Sequence, residues 1–152
     1  IFLYERRRKM KLIDPYSYQC GIIDCFNEMI RAGLKRIALS HPTASVEERN
    51  ALIPFSREIC QKYGTYFYVE NEPLLTDLFP VSLNRGTYHI VFWKKEDDWK
   101  EYLSIKSDKN RLLQQNSYTG AARTEIAYRF GRLLSYPEEG IRQLIQANQE
   151  LE

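Results

Sequence analysis

Two short runs hold the residues best suited to chemistry. Ser40-His41-Pro42-Thr43-Ala44-Ser45 joins an imidazole to three hydroxyls just ahead of a helical pattern, and Glu70-Asn71-Glu72, followed by Asp77, collects carboxylates at the end of an apolar run. A helix start offers unpaired backbone N–H groups and the positive end of the macrodipole, so the first run suits an anion such as phosphate or carboxylate. On that reading Ser40, Thr43 and Ser45 bind the ligand; on the plainer one Thr43 and Ser45 cap the helix and His41 packs or faces solvent. His41 with Glu70 would form a general acid/base pair or a His-carboxylate metal pair, with Glu72 and Asp77 as further ligand contacts. No HExxH or DxD spacing ties these residues together, so no metal or cofactor is assigned, and the alternative leaves the carboxylates as solvated loop residues.

Cys20 falls near the start of an earlier helical pattern, where the dipole favours a thiolate. With His41 as base and Glu70 as orienter it would complete a Cys-His-Glu nucleophilic set, although a small buried apolar role accounts for it more simply. Cys25 and Cys60 stand among apolar helical positions and read as core, and His89 reads as a satisfied histidine within a strand. Tyr16, Tyr18, Tyr66 and Tyr68 read as packing residues rather than a stacking platform.

The elements that must position these groups follow a repeated plan of amphipathic helix, glycine and short strand. Ile22, Phe26, Met29 and Ile30 recur at helical spacing, Gly33 follows, and Leu34 to Ser40 reads as a strand; Leu52, Phe55, Ile59 and Tyr63 repeat the pattern before Gly64 and the strand from Thr65 to Glu70. Asp14-Pro15 caps the first helix, residues 10 to 13 read as a short strand before it, and Ser45 with Glu48 forms a capping box for the second. Pro54 interrupts that second pattern and predicts a kink or two short helices. Thr87 to Lys94 is apolar on both faces and reads as a buried strand, reached by a connection in which Leu74 to Phe79 forms one helical turn. Beyond Lys95 the chain is helical in three segments, the last capped by Ser135-x-x-Glu138. Strands alternating with helices predict parallel pairing through right-handed crossovers: a single α/β domain over residues 1–152, with a small, mostly parallel sheet of three to four strands, flanking helices and a helical C-terminal third over 96–152. Ligands of such sheets bind outside the strand C-termini, where the His41 and Glu70 loops would emerge side by side.

Charge narrows the partners. Basic residues number 22 against 20 acidic, yet Arg6, Arg7, Arg8, Lys9 and Lys11 lie in the first eleven residues with Glu5 alone; the remainder holds 17 basic against 19 acidic residues. The body of the protein therefore shows no polyanion footprint, and residues 1–11 read as a basic, solvated end segment. The run Glu125-Ile126-Ala127 to Gly131, followed by Ile141 to Ile145, resembles a helix-turn-helix in its Ala-to-Gly spacing. It departs from that family in the long gap over 132–136 and in a second helix carrying mostly acidic charge, so DNA is not expected and the pair reads as an αα-hairpin. No apolar run is long enough for a membrane helix, no secretory signal follows the basic cluster, and three cysteines without CxxC spacing suggest reduced thiols in the cytoplasm. Without a Walker A, GxGxxG or GxSxG motif, the functional expectation is a soluble cytoplasmic protein binding a small anionic ligand at the strand C-terminal edge, with hydrolase-type His/carboxylate chemistry if it is an enzyme. The alternative is a non-catalytic interaction or regulatory module whose helices between 96 and 150 dock on a partner or on a second copy.

Overall fold

The computed structural model describes residues 11–152. Helix α1 (Pro15–Arg31) starts where Asp14 accepts hydrogen bonds from the Ser17 backbone N–H (2.9 Å) and hydroxyl (2.6 Å), with Pro15 preset for the first turn. Its buried face is Cys20, Ile23, Asn27 and Ile30, the three-to-four-residue stripe of an amphipathic helix. Residues 11–13 form no strand, and residue 10 and most of the basic segment lie outside the described residues. Strand β1 (Ile37–Leu39) follows, shorter than the apolar run that predicts it.

Helices α2 (Val46–Ala51) and α3 (Ile53–Tyr63) replace one long pattern, broken at Leu52 because Pro54 can occupy only the first turn of a helix. Gly64 ends α3 with φ 67°, a left-handed conformation that a side chain would strain, and turns the chain into strand β2 (Tyr66–Glu70). The Leu74 to Phe79 stretch is irregular rather than helical; the one turn of helix nearby is α4 (Val81–Asn84), after Pro80. Strand β3 (His89–Trp93) leads to α5 (Glu96–Gln114), α6 (Gly120–Leu133) and α7 (Glu138–Ala147). The expected Ser135 cap of α7 does not form: Pro137 is its N-cap, and the Ser135 hydroxyl accepts from the Arg36 backbone N–H at 2.9 Å.

The sheet overturns the expectation of mostly parallel strands. Its order is β1-β3-β2 and both pairings are antiparallel, Leu39 opposite Val91 and Glu70 opposite His89. The two crossover strands do run the same way, but β3 lies between them and runs against both. The cause is the connection over residues 71–88, which contains only the four-residue α4 and so reverses at the rim instead of carrying the chain back beneath the sheet. Burial on both faces therefore comes from the central position of β3, not from parallel pairing. One face, with Ala38, Ile90 and Phe92, packs on Cys20, Ile23, Leu52 and Ile59 of the α1/α3 layer. The other, with Ile37 and Val91, packs on Tyr102, Ile105, Ile126 and Phe130 of the α5–α7 layer. Within that layer α6 and α7 meet closely at Gly131, where an added Cβ would stand 2.7 Å from the buried Ile141 side chain. The Ala-to-Gly spacing at this point thus serves helix packing.

Antiparallel order has a direct consequence for function. The rim at the ends of β1 and β2 also holds the start of β3, which brings His89 between the His41 and Glu70 loops.

Candidate functional site

The carboxylate side of this rim is closed by its own partners. Glu70 is 2% exposed, and Oε2 accepts from the Tyr102 hydroxyl (2.6 Å) and the Lys106 ammonium (2.8 Å) on α5 while Oε1 accepts from the Glu72 backbone N–H (2.9 Å). Burial pushes its pKa up, but these three donors together outweigh that and hold the carboxyl below the usual glutamate value. Burial, with the Glu70 charge beside it, raises the Tyr102 hydroxyl far above the ordinary tyrosine range, so it stays a donor. Arg49, also buried, covers the same corner, donating to the Glu70 carbonyl at 2.7 Å and to the Asn71 side chain at 2.9 Å. Asp77 takes a two-pronged bond from Arg123, both contacts 2.7 Å, and Glu72 is exposed with its carbonyl bonded to Lys106 at 3.0 Å. Together with Asn148, which donates to the carbonyls of Asp77 (3.0 Å) and Phe79 (3.2 Å), these contacts pin the 71–80 loop to the helical layer.

The hydroxyl turn is similarly self-contained. The Ser40 hydroxyl accepts from the Ile90 N–H at 2.9 Å, and Thr43 donates to the carbonyls of Ser45 (3.0 Å) and Tyr88 (3.1 Å). Ser45 caps α2 by accepting from the Glu48 N–H at 3.2 Å, and Glu48 returns the contact to the Ala44 N–H at 3.3 Å. Two glutamates in the first turn of so short a helix, Glu47 and Glu48, already occupy the positive end of its dipole.

The open side is the outer edge of β1, which faces a cleft of about 1080 Å³ between the α1 layer and the end of α6. Tyr18 and Phe26 line it from one side and Phe79, Leu134 and Tyr136 from the other, with His41 exposed at its mouth. Lys35 is the sole lysine or arginine among the described residues lining it, and none of those residues is an aspartate or glutamate. The Lys35 ammonium donates to the Leu134 carbonyl at 3.0 Å and sits 5.3 Å and 6.0 Å from the ring centres of Phe26 and Tyr136. An ammonium has three donors, and among the described residues only one is used and no carboxylate pairs with it. Burial lowers its pKa from the usual lysine value. His89 is also among the lining residues, but it is 3% exposed, and its Nε2, which has no protein partner among the described residues, is sealed from the cleft. Burial pushes its pKa down to about 4, so the imidazole is neutral at physiological pH.

Of the residues nominated by sequence, Ser40, His41 and Thr43 reach the cleft, whereas Ser45, Glu70, Glu72, Asp77 and Cys20 do not line it. Cys20 lies a turn deeper in α1 than a dipole-activated thiol would and packs in the α1/α3 cluster. Two expectations are corrected: Cys25 is exposed and lines the cleft rather than the core, and Nε2 of His89 has no protein partner among the described residues. Lys35 was hidden as an ordinary charge at the head of an apolar run, but His89 carried a signal: a polar residue opening a strand apolar on both faces must find a partner or a cavity. Among the described residues no three His, Cys, Asp or Glu side chains gather as for a metal ion, and no helix is long and apolar enough to cross a membrane. On α5–α7 the exposed large apolar side chains are Leu103 and Leu113, ten positions apart on one helix. No family model, curated protein or solved structure matches the chain.

Proposed function

We propose that this protein binds a small amphipathic anion in the cleft along β1, its acidic group against Lys35 and its apolar body between Phe26, Phe79 and Tyr136. What carries this reading is the composition of the cleft: a half-buried ammonium with spare donors in an apolar, aromatic wall that holds no carboxylate to neutralise it. A single cation favours a monoanion such as a carboxylate over a polyphosphate, and the helix start at Ser45 is already capped. Binding rather than acid/base catalysis is supported, because His41 stands at the cleft while the carboxylate of Glu70 is spent on Tyr102 and Lys106. The small, separated apolar exposure on α5–α7 gives less support to an interaction module.

Calorimetric titration with dodecanoate and with neutral dodecanol tests this. The acid should bind and the alcohol should bind at least roughly tenfold more weakly, the difference expected from one charge-assisted contact. Lys35→Met should remove that discrimination without lowering the melting temperature by more than a few degrees. Equal affinity for acid and alcohol, or discrimination that survives Lys35→Met, would refute the assignment.

A further inference from the structure

The cleft runs along one edge of the sheet, and β2 forms the other edge. Bonding along β3 shows which backbone groups of β2 are free. Tyr88 and Ile90 turn theirs toward the β1 side, where the Ser40 N–H meets the Ile90 carbonyl at 2.9 Å and Thr43 and Tyr88 exchange bonds of 2.8 and 3.0 Å. His89, Val91 and Trp93 therefore bond to β2, opposite Glu70, Tyr68 and Tyr66. The intervening residues, Phe67 and Val69, point both N–H and C=O outward from the sheet edge. None of these groups meets a partner among the described residues. Thr65, the preceding outward position, has already given its N–H to the Cys60 carbonyl at 3.1 Å.

Exposed edges of this kind are usually blunted by lysine, proline, a bulge or short length. Over its five residues β2 has no proline or lysine, and it pairs with β3 without interruption. Its one charge, Glu70, is turned inward to Tyr102 and Lys106. The face toward α5 is aromatic: Tyr66 and Tyr68 are exposed, with Trp93 stacked on the first at 6.0 Å and Trp99 tilted against the second at 5.2 Å between ring centres.

We infer that β2 pairs with β2 of a second copy of this chain, antiparallel about a two-fold axis at Tyr68, which joins two three-stranded sheets into one of six strands. The free groups select both the partner and the register. With the axis at Tyr68, Phe67 stands opposite Val69 of the second copy, and each N–H meets the carbonyl of the other, so every outward group is used. An axis at Phe67 would call on the Thr65 N–H, which is spent, and one at Val69 would call on Asn71, beyond the end of the strand. Tyr68 then falls opposite its own copy in a non-hydrogen-bonded pair, where side chains approach most closely, and extends the aromatic cluster across the axis. An identical copy brings identical charge, which an edge with its only carboxylate turned inward does not repel. The surface stands on the opposite edge from the anion site and does not depend on it.

Sedimentation equilibrium of the full chain tests this and should find a monomer–dimer equilibrium. Tyr68→Lys sets two ammonium groups side by side at the axis, and Val69→Pro removes an N–H that no bond within the protomer uses. Each should weaken the dimer at least roughly tenfold, the loss of more than about one good contact. Leu113→Lys, at the other end of α5 from Trp99, should leave it unchanged. Should the β2 variants not fold, amide hydrogen exchange of the native protein decides: exchange at Phe67 and Val69 should slow at least roughly tenfold from dilute to concentrated protein. The Tyr68 amide, bonded to β3 in either state, should be protected at both. A native chain that stays monomeric up to its solubility limit, a dimer as tight in both β2 variants or broken by Leu113→Lys, or exchange at Phe67 and Val69 that ignores concentration would overturn the inference.

Discussion

The closed corner at the end of β2 and the open cleft along β1 hold polar groups in opposite conditions. At the β2 end the buried Glu70 has three donors and Asp77 a two-pronged guanidinium, each bond between 2.6 and 2.9 Å. Along β1 two of the three donors of Lys35 are left unanswered among the described residues, beside an apolar cleft. Polar groups saturated by their neighbours hold the fold; polar groups left open in a cavity are what a ligand can use. The carboxylates are the more conspicuous residues in the sequence, and the cleft is the better site.

If this division is right, disturbing the corner and the cleft should have separable effects. Glu70→Ala should give the largest loss, about 3 to 4 kcal/mol in urea denaturation, because it strands the fully buried Tyr102 hydroxyl and removes the partner of Lys106. The same variant, at temperatures where it remains folded, should bind dodecanoate as the native protein does. A large affinity loss there, or a loss of stability below 1 kcal/mol, would erase the contrast.

Next in size is the response to acid. His89 has an unfolded pKa near 6.5 and a folded value of about 4, so below 6.5 the unfolded chain takes up its proton first. Stability is at its full value above that pH and should fall by about 3 kcal/mol as pH drops from 6.5 to 4. Glu70, held below its usual value, acts lower: the stability it lends is present above 4.5 and is lost as pH falls through its folded pKa. Denaturation midpoints measured against pH should therefore decline in two stages, and His89→Gln should remove the upper one alone. A flat profile between 6.5 and 4 in the native protein would show His89 to be solvated.

A smaller effect lies away from both. Gly131→Ala should cost about 1 to 2 kcal/mol by thermal unfolding, since the new methyl displaces Ile141 and the gain in helix propensity offsets only part of that. Affinity for dodecanoate should not change, which separates general loosening from damage to the cleft.

The mildest probe is chemical. Cys25 is exposed on the cleft wall while Cys20 and Cys60 are buried, so iodoacetamide should label one thiol in the folded protein and three in urea. Dodecanoate should slow labelling of Cys25. Unchanged kinetics with saturating acid would place the ligand elsewhere.

Much of the local structure is legible in the sequence because it depends on neighbours along the chain. The Asp14-Pro15 cap, the Ser45 and Glu48 box, the break before Pro54 and the left-handed Gly64 all follow from residues within a few positions of one another. What depends on distant partners is not. The course of the 71–80 loop, whose lack of a crossover helix turns β3 against its neighbours, is held by Lys106, Lys109 and Arg123, each more than thirty positions away, at 3.0, 2.7 and 2.7 Å. The same holds for the site: Glu70 reads as a free acid until Tyr102 arrives from α5, and Cys25 reads as core until the α1 layer leaves its side of the helix uncovered. His89 is the exception, a polar interruption of an apolar strand that the sequence alone marks as a group needing a partner.

The most direct measurement of the central claim is amide shift mapping of the native protein titrated with dodecanoate. Perturbations should concentrate at Tyr18, Cys25, Phe26, Lys35, Leu39 to Thr43, Phe79, Leu134 and Tyr136, on the walls of the cleft. Shifts centred instead on Glu70, Tyr102 and Lys106, or spread along the outer face of α5 about Leu103 and Leu113, would contradict it.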